Sequence, residues 1–179
     1  MFRQFLKMAF LVLLMMAFVQ MSVAQSQNSS ASQSKPAKPC SMPEHRQFDF
    51  WIGEWDVTMG GQTAGTNSIQ LILGDCVLLE NWAGSKGGNG KSFNLFNSAK
   101  GKWQQTWVDS SGNMLELYGE FKDGVMQLVG ENARNGKKTL QRITWKALDK
   151  DRVRQHWEQS QDEGKTWTTA FDGLYTRKK

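Results

Sequence analysis

Several polar and charged residues sit inside runs that are otherwise apolar, and they keep a spacing of two. Glu80 and Trp82 fall on one face of an extended run, Gln105 and Trp107 on one face of another. Arg142 and Thr144 share a face of a third, and Arg154, His156 and Glu158 share a face of a fourth. Successive side chains of a strand point to opposite sides, so each set acts together. Directed into a closed barrel, these sets combine charge with aromatic surface, as a site for a small polar or amphipathic molecule does. Directed outward, they are solvated strand faces, and a one-residue slip in register interchanges the two. On the inward reading Trp82, Trp107 and Trp157 give flat apolar contact, while Arg142, Arg154 and Glu80 orient the ligand through charge-assisted bonds. Two alternatives stay open: an enzyme using Glu80 or Glu158 as general acid or base, and an interaction module without a cavity.

Other motifs carry less chemistry. Ser160-Gln161-Asp162-Glu163-Gly164-Lys165-Thr166-Trp167 fits the S-x-D-x-G-x-T-W Asp-box. Its physics is local: Asp162 accepts backbone hydrogen bonds within the turn, Gly164 supplies positive φ, and Trp167 anchors the hairpin. A propeller needs repeated blades, and one copy is a hairpin brace. Ser85 to Ser92 nearly spells a phosphate loop, but it runs into the strand-like Phe93-Asn94-Leu95-Phe96 and so lacks the helix N-terminus that cradles phosphate. It reads as a hairpin loop, a lid at the barrel mouth. Two histidines, His45 and His156, have no metal-ligand spacing, and there is no G-x-S-x-G nucleophile motif. No metal is expected.

Strands must position these residues. Glycine or Asp/Lys turns recur at Gly60-Gly61, Gly74, Gly87-Gly88, Gly101, Gly112, Gly124, Gly136, Asp149-Lys150-Asp151 and Gly164, a cadence that belongs to all-β domains. Asp123-Gly124 and Asn135-Gly136 suit two-residue primed turns. The runs between them alternate, as in Met114-Leu115-Glu116-Leu117-Tyr118, and none after residue 53 holds a helical period. All three prolines precede residue 44, which leaves the remainder free to pair as strands. Closing ten short-looped strands removes both sheet edges. The expected fold is an all-β, ten-stranded antiparallel up-and-down barrel, with a sandwich as the alternative.

Before the first strand, Phe48-Asp49-Phe50-Trp51 crowds three aromatics into a short amphipathic turn. It is expected to form a short N-terminal helix plugging one end, with Trp55 as the floor. Gly53-Glu54-Trp55 resembles the G-x-W signature of the calycin superfamily, which includes lipocalins, fatty-acid-binding proteins and nitrobindins. In those barrels an arginine at the end of the last strand packs across the tryptophan, and Arg177 stands in the matching place. His45 to Val57 and Arg154 to Tyr175 are similar, more narrowly, to an uncharacterised family of exported bacterial lipocalin-like proteins, the resemblance spanning about residues 40 to 179. It implies a barrel with a small-molecule cavity, and structural roles for Trp51, Trp55 and Arg177. Nitrobindin-type relatives hold haem iron through a barrel histidine. The same role at His156 is the alternative to no cofactor.

The chain opens with Arg3 and Lys7, then twelve apolar residues from Met8 to Val19, then small Ser22 and Ala24. Residues 1–24 therefore read as a signal peptide, the apolar run being too short for a membrane span. Residues 25–39 read as a disordered polar linker, and 40–179 as the barrel domain. Cleavage lowers the net charge from +5 to +3, too mild and too scattered for nucleic-acid binding. Periplasmic or secreted location and no stable membrane insertion follow. Cys40 and Cys76, an even pair in an oxidising compartment, are expected to form a disulfide joining the segment before the plug to the start of the third strand.

Overall fold

The computed structural model describes residues 38–134 and 136–179. The segments expected to be a signal peptide and a polar linker, as far as residue 37, and Asn135 of the Asn135-Gly136 turn lie outside the described residues. The described residues form ten strands: β1 (Gly53–Met59), β2 (Gln62–Ile72), β3 (Val77–Gly84), β4 (Gly90–Asn97), β5 (Lys102–Asp109), β6 (Met114–Lys122), β7 (Val125–Arg134), β8 (Lys137–Asp149), β9 (Arg152–Ser160) and β10 (Thr168–Arg177). Each pairs antiparallel with the next, and β10 returns to β1 with Trp55 opposite Arg177 and Val57 opposite Tyr175. The sheet is a closed barrel, so neither the first nor the last strand is an edge.

The aromatic segment is not a helix at the chain's N-terminus. It comprises two short 3₁₀ turns at Pro43–Arg46 and Asp49–Trp51, within the chain. Four or three residues hold too few hydrogen bonds for an α-helix; burial of aromatics fixes these turns instead. Phe48 and Trp51 are fully buried. Phe48 stacks on Trp51 with centroids 4.9 Å apart and meets Trp103 and Trp145 edge-on. Cys40 and Cys76 form a disulfide that ties the chain before these turns to the β2–β3 connection.

Beside this cluster lies the β1–β10 junction. The Arg177 guanidinium sits 4.3 Å above the Trp55 ring, and its Nη1 donates to Ile52 O at 2.9 Å. Trp55 Nε1 donates to Trp51 O at 2.9 Å. A Cβ built on Gly53 would lie 2.1 Å from Arg177 Nη1, so the guanidinium reaches the indole only because that position is glycine. Gly53 also has φ +140°, which side-chain-bearing residues avoid. The spacing of Gly53 and Trp55 therefore has a mechanical reason: a gap and a flat face, two residues apart on the same side of β1.

Since β1 starts at this closed end, the odd-numbered strands run away from it. The opposite end, the mouth, carries the turns at 60–61, 85–89, 110–113 and 161–167. The 85–89 loop is held by Ser85 N to Ala64 O at 2.9 Å and by Ser110 N to Asn89 O at 2.8 Å, and it leads into β4.

Candidate functional site

In the mouth half the lumen widens into a cavity of about 200 Å³. Its apolar wall is Trp82, Trp107, Trp157, Phe171, Leu115 and Ile143. Its polar atoms come from Glu80, Gln105, Gln155 and Tyr175. Two indoles are held against the sheet by missing side chains. A Cβ on Gly90 would lie 2.2 Å from the Trp107 ring, and one on Gly65 would lie 2.9 Å from that of Trp82. Ala170 is the extra residue of a β-bulge, since Thr169 faces Glu158 while Phe171 faces Trp157. The bulge shifts parity by one and turns the Phe171 ring inward.

Toward the closed end the cavity meets a buried polar layer. Glu80 is only 3% exposed. Its Oε1 accepts from Asn67 Nδ2 at 2.7 Å, and its Oε2 accepts from Ser92 Oγ at 2.6 Å. Ser92 Oγ in turn accepts from Asn94 Nδ2 at 2.8 Å and from Gln105 Nε2 at 3.3 Å. Asn67 Nδ2 lies 3.4 Å from Tyr175 Oη, whose proton goes to Gln155 Oε1. Burial raises the Glu80 carboxyl to a pKa of about 7, opposed by its bonds to Ser92 and Asn67. Burial, and then the nearby Glu80 charge, push the Tyr175 hydroxyl well above the usual phenol value. Both shifts reflect the cost of charge without water.

The eight residues expected to bind a ligand divide evenly. Glu80, Trp82, Gln105 and Trp107 line the cavity. Arg142, Arg154, His156 and Glu158 do not: the expected orientation of β8 and β9 is inverted. On β8 the inward residues are Gln141, Ile143 and Trp145, and on β9 they are Val153, Gln155 and Trp157. The charged residues pair across strands on the outer wall. Arg142 Nε lies 2.9 Å from Glu158 Oε2, and Arg154 forms a two-pronged pair with Asp172 at 2.7 Å. The His156 ring bonds Thr169 Oγ1 at 3.0 Å and lies 3.7 Å from Glu158. Outside, each charge keeps both a partner and water, whereas inside each would meet desolvation. With His156 outward, and His45 within the first 3₁₀ turn against Phe96, neither histidine lines the cavity. The residues present do not fit haem.

Gln155, Phe171, Tyr175, Leu115 and Ile143 are cavity residues that sequence reasoning passed over, as are Asn67 and Ser92 behind Glu80. Gln155 had a readable signal, because it alternates with Val153 and Trp157 on the uncharged face of β9. Asn67 and Ser92 had none: only the register sets them opposite or beside Glu80.

The Asp-box turn lies at the mouth. Asp162 Oδ1 accepts from Thr166 N at 2.9 Å and Oδ2 from Thr166 Oγ1 at 2.6 Å; these bonds, with one from Ser160, hold the carboxyl down to a pKa of about 2. Gly164 has φ +86°, and Trp167 Nε1 donates to Gly164 O at 3.0 Å. The Arg142 guanidinium lies 4.0 Å over the Trp167 ring, which links this brace to the outer wall.

No protein-family model matches the chain, and a search of curated proteins finds no match either. The site must be interpreted from its own geometry.

Proposed function

We propose that this protein is an exported, calycin-like barrel that binds a small amphipathic molecule non-covalently in the mouth half of its lumen. One observation carries the reading. A cavity walled by three indoles and a phenyl ring ends on a buried carboxyl, so an apolar body and a polar group are recognised at different depths. Volume sets how much of a ligand the lumen encloses. An apolar cavity of about 150 Å³ holds a benzene molecule, so 200 Å³ admits a single ring with a short polar substituent. The Trp55–Arg177 stack at a closed barrel end supports kinship with calycins, and the disulfide suits an oxidising compartment. Among the described residues no helix is long and apolar enough to cross a membrane.

Native mass spectrometry of the purified protein tests the reading, with tryptophan fluorescence titrations against single-ring compounds. A bound species of that size, displaced when Trp107 is changed to alanine in a protein that stays folded, is the expected result. A lumen that neither retains nor accepts any such compound overturns it.

The second reading is an enzyme in which Glu80 acts as general acid or base. A carboxyl with a pKa of about 7 exchanges protons readily near neutral pH, which favours this role. Turnover of a bound compound that disappears in Glu80→Gln, with binding retained, distinguishes catalysis from simple binding.

A further inference from the structure

We infer that the lumen cavity selects a small organic cation, a protonated amine or quaternary ammonium on a single-ring body, with its charge set between Glu80 and the aromatic wall. This deepens the proposed function and rests on it.

The direction of the hydrogen bonds around Glu80 carries the inference. A hydroxyl has one proton and two lone pairs. Both lone pairs of Ser92 Oγ are taken by Asn94 and Gln105, so its proton goes to Glu80 Oε2. On the other side Tyr175 donates to Gln155, which leaves its oxygen to accept from the Asn67 amide that also serves Oε1. Both carboxyl oxygens therefore receive protons from neutral donors. In this arrangement both oxygens of Glu80 act as acceptors, Oε1 from Asn67 and Oε2 from Ser92.

An anionic acceptor in this place lacks a counter-charge. None of the cavity-lining residues is Lys, Arg or His. The groups facing Glu80 are neutral: Asn67 from β2, Ser92 and Asn94 from β4, Gln105 from β5, and Tyr175 from β10, the one titratable group among them. Arg142 of β8 and Arg154 of β9 are committed on the outer wall to Glu158 and Asp172. Desolvation alone holds the carboxyl up near 7, and a ligand bringing positive charge removes that penalty. The remaining surface suits the same ligand. Indole and phenyl faces attract a cation through their quadrupoles, and walls of this kind are how proteins recognise quaternary ammonium groups. A carboxylate ligand would meet the like charge of Glu80, and a neutral one would leave it uncompensated.

Isothermal titration of the whole protein with three single-ring probes tests this: benzyltrimethylammonium, benzyl alcohol and benzoate, from pH 5 to pH 8. Benzyltrimethylammonium keeps its charge throughout, Tyr175 stays protonated, and His156 lies on the outer wall, so any strong pH dependence reports Glu80. At pH 8 the cation is expected to bind at least about tenfold more tightly than the alcohol, and to weaken about tenfold per pH unit below the pKa of Glu80. Glu80→Gln should abolish both the preference for the cation over benzyl alcohol and the pH slope. If that variant does not fold, by near-ultraviolet circular dichroism, the slope in the unaltered protein decides alone. Binding of benzyl alcohol or benzoate with the cation excluded, or cation binding that ignores pH, overturns the inference and leaves the small-molecule reading standing. Failure of all three probes overturns both.

Discussion

Trp51, Trp55, Trp103 and Trp145 at the closed end are each no more than 1% exposed, stacked or edge-on against other aromatic rings. Trp82, Trp107 and Trp157 in the mouth half are only partly buried, and they border empty volume. The residue type is the same, and what differs is the material opposite it. At the closed end, the 3₁₀ turns insert Phe48 and Trp51, and Arg177 caps Trp55. At the mouth, Gly65 and Gly90 let two indoles lie back against the sheet. One barrel thus separates a half that holds the fold together from a half kept open, and substitutions in the two should fail in different ways.

The largest effect is expected at the closed end. Trp51→Ala should cost ~3–5 kcal/mol in urea denaturation, the range for removing a large buried aromatic from a core that cannot collapse around the space. Trp107→Ala, already bordering a cavity, should cost roughly 1–2 kcal/mol while abolishing ligand binding. Equal costs at the two positions would break the proposed separation.

Next comes pH. The Glu80 carboxyl has a pKa of about 7 when folded, against 4.5 as its ordinary value. Between those values the folded protein holds a proton that the unfolded chain has released. Stability therefore falls as pH rises from 4.5 to 7, then levels off. At 1.36 kcal/mol per unit, the loss is about 3 kcal/mol. Glu158 and Asp172 on the outer wall act oppositely: their arginine partners hold their pKa values down, so their contribution is present above the ordinary carboxylate range and is lost at lower pH. Denaturant melts of the ligand-free protein at pH 5 and pH 8 measure the Glu80 effect, and the difference should vanish in Glu80→Gln. A flat profile in the unaltered protein would place Glu80 in contact with water and remove the buried layer from the comparison.

The glycines under the indoles give a smaller and more specific effect. Gly90→Ala forces the Trp107 ring to move, since the new methyl would lie 2.2 Å from it. Overpacking of this kind costs ~1–3 kcal/mol, and the displaced indole should narrow the cavity. The fluorescence change on ligand addition should shrink more than stability does. Unaltered binding would show that the ring does not lie against the wall.

These features differed in how far the sequence revealed them. The ten strands and their closure followed from turn spacing and alternation, which depend on neighbours within a few residues. The Trp55–Arg177 stack was legible through the resemblance of Gly53-Glu54-Trp55 to the calycin signature, and closure of the barrel brings the first and last strands that carry the pair together. Strand faces were another matter. On β3 and β5 the faces carrying Glu80 with Trp82 and Gln105 with Trp107 are the inward ones, although alternation alone allows either side. On β8 and β9 the charged residues suggested a site, yet they face neighbours of opposite charge: Arg142 against Glu158, and Arg154 near Asp172. Such pairs exist only once the register is known, and a bulge at Ala170 changes the parity of β10 with no mark in composition.

The inverted strands provide the smallest and most discriminating prediction. Arg142 and Glu158 keep part of their side chains in solvent, with relative exposures of 29% and 18%. Changing Glu158 to Gln leaves Arg142 stacked over Trp167 and able to bond a neutral amide. The stability change should stay within about 1 kcal/mol, as is usual for pairs that water can reach. Binding in the lumen should be unaltered, because the backbone of β9 lies between this carboxylate and the cavity that Gln155 and Trp157 line. A titration of Glu158→Gln beside Glu80→Gln sets the two faces of the barrel against each other. Equal losses would mean that the outer charges reach the ligand and that the inward assignment of Glu80 does not distinguish the site. Loss in Glu80→Gln alone would confine recognition to the lumen.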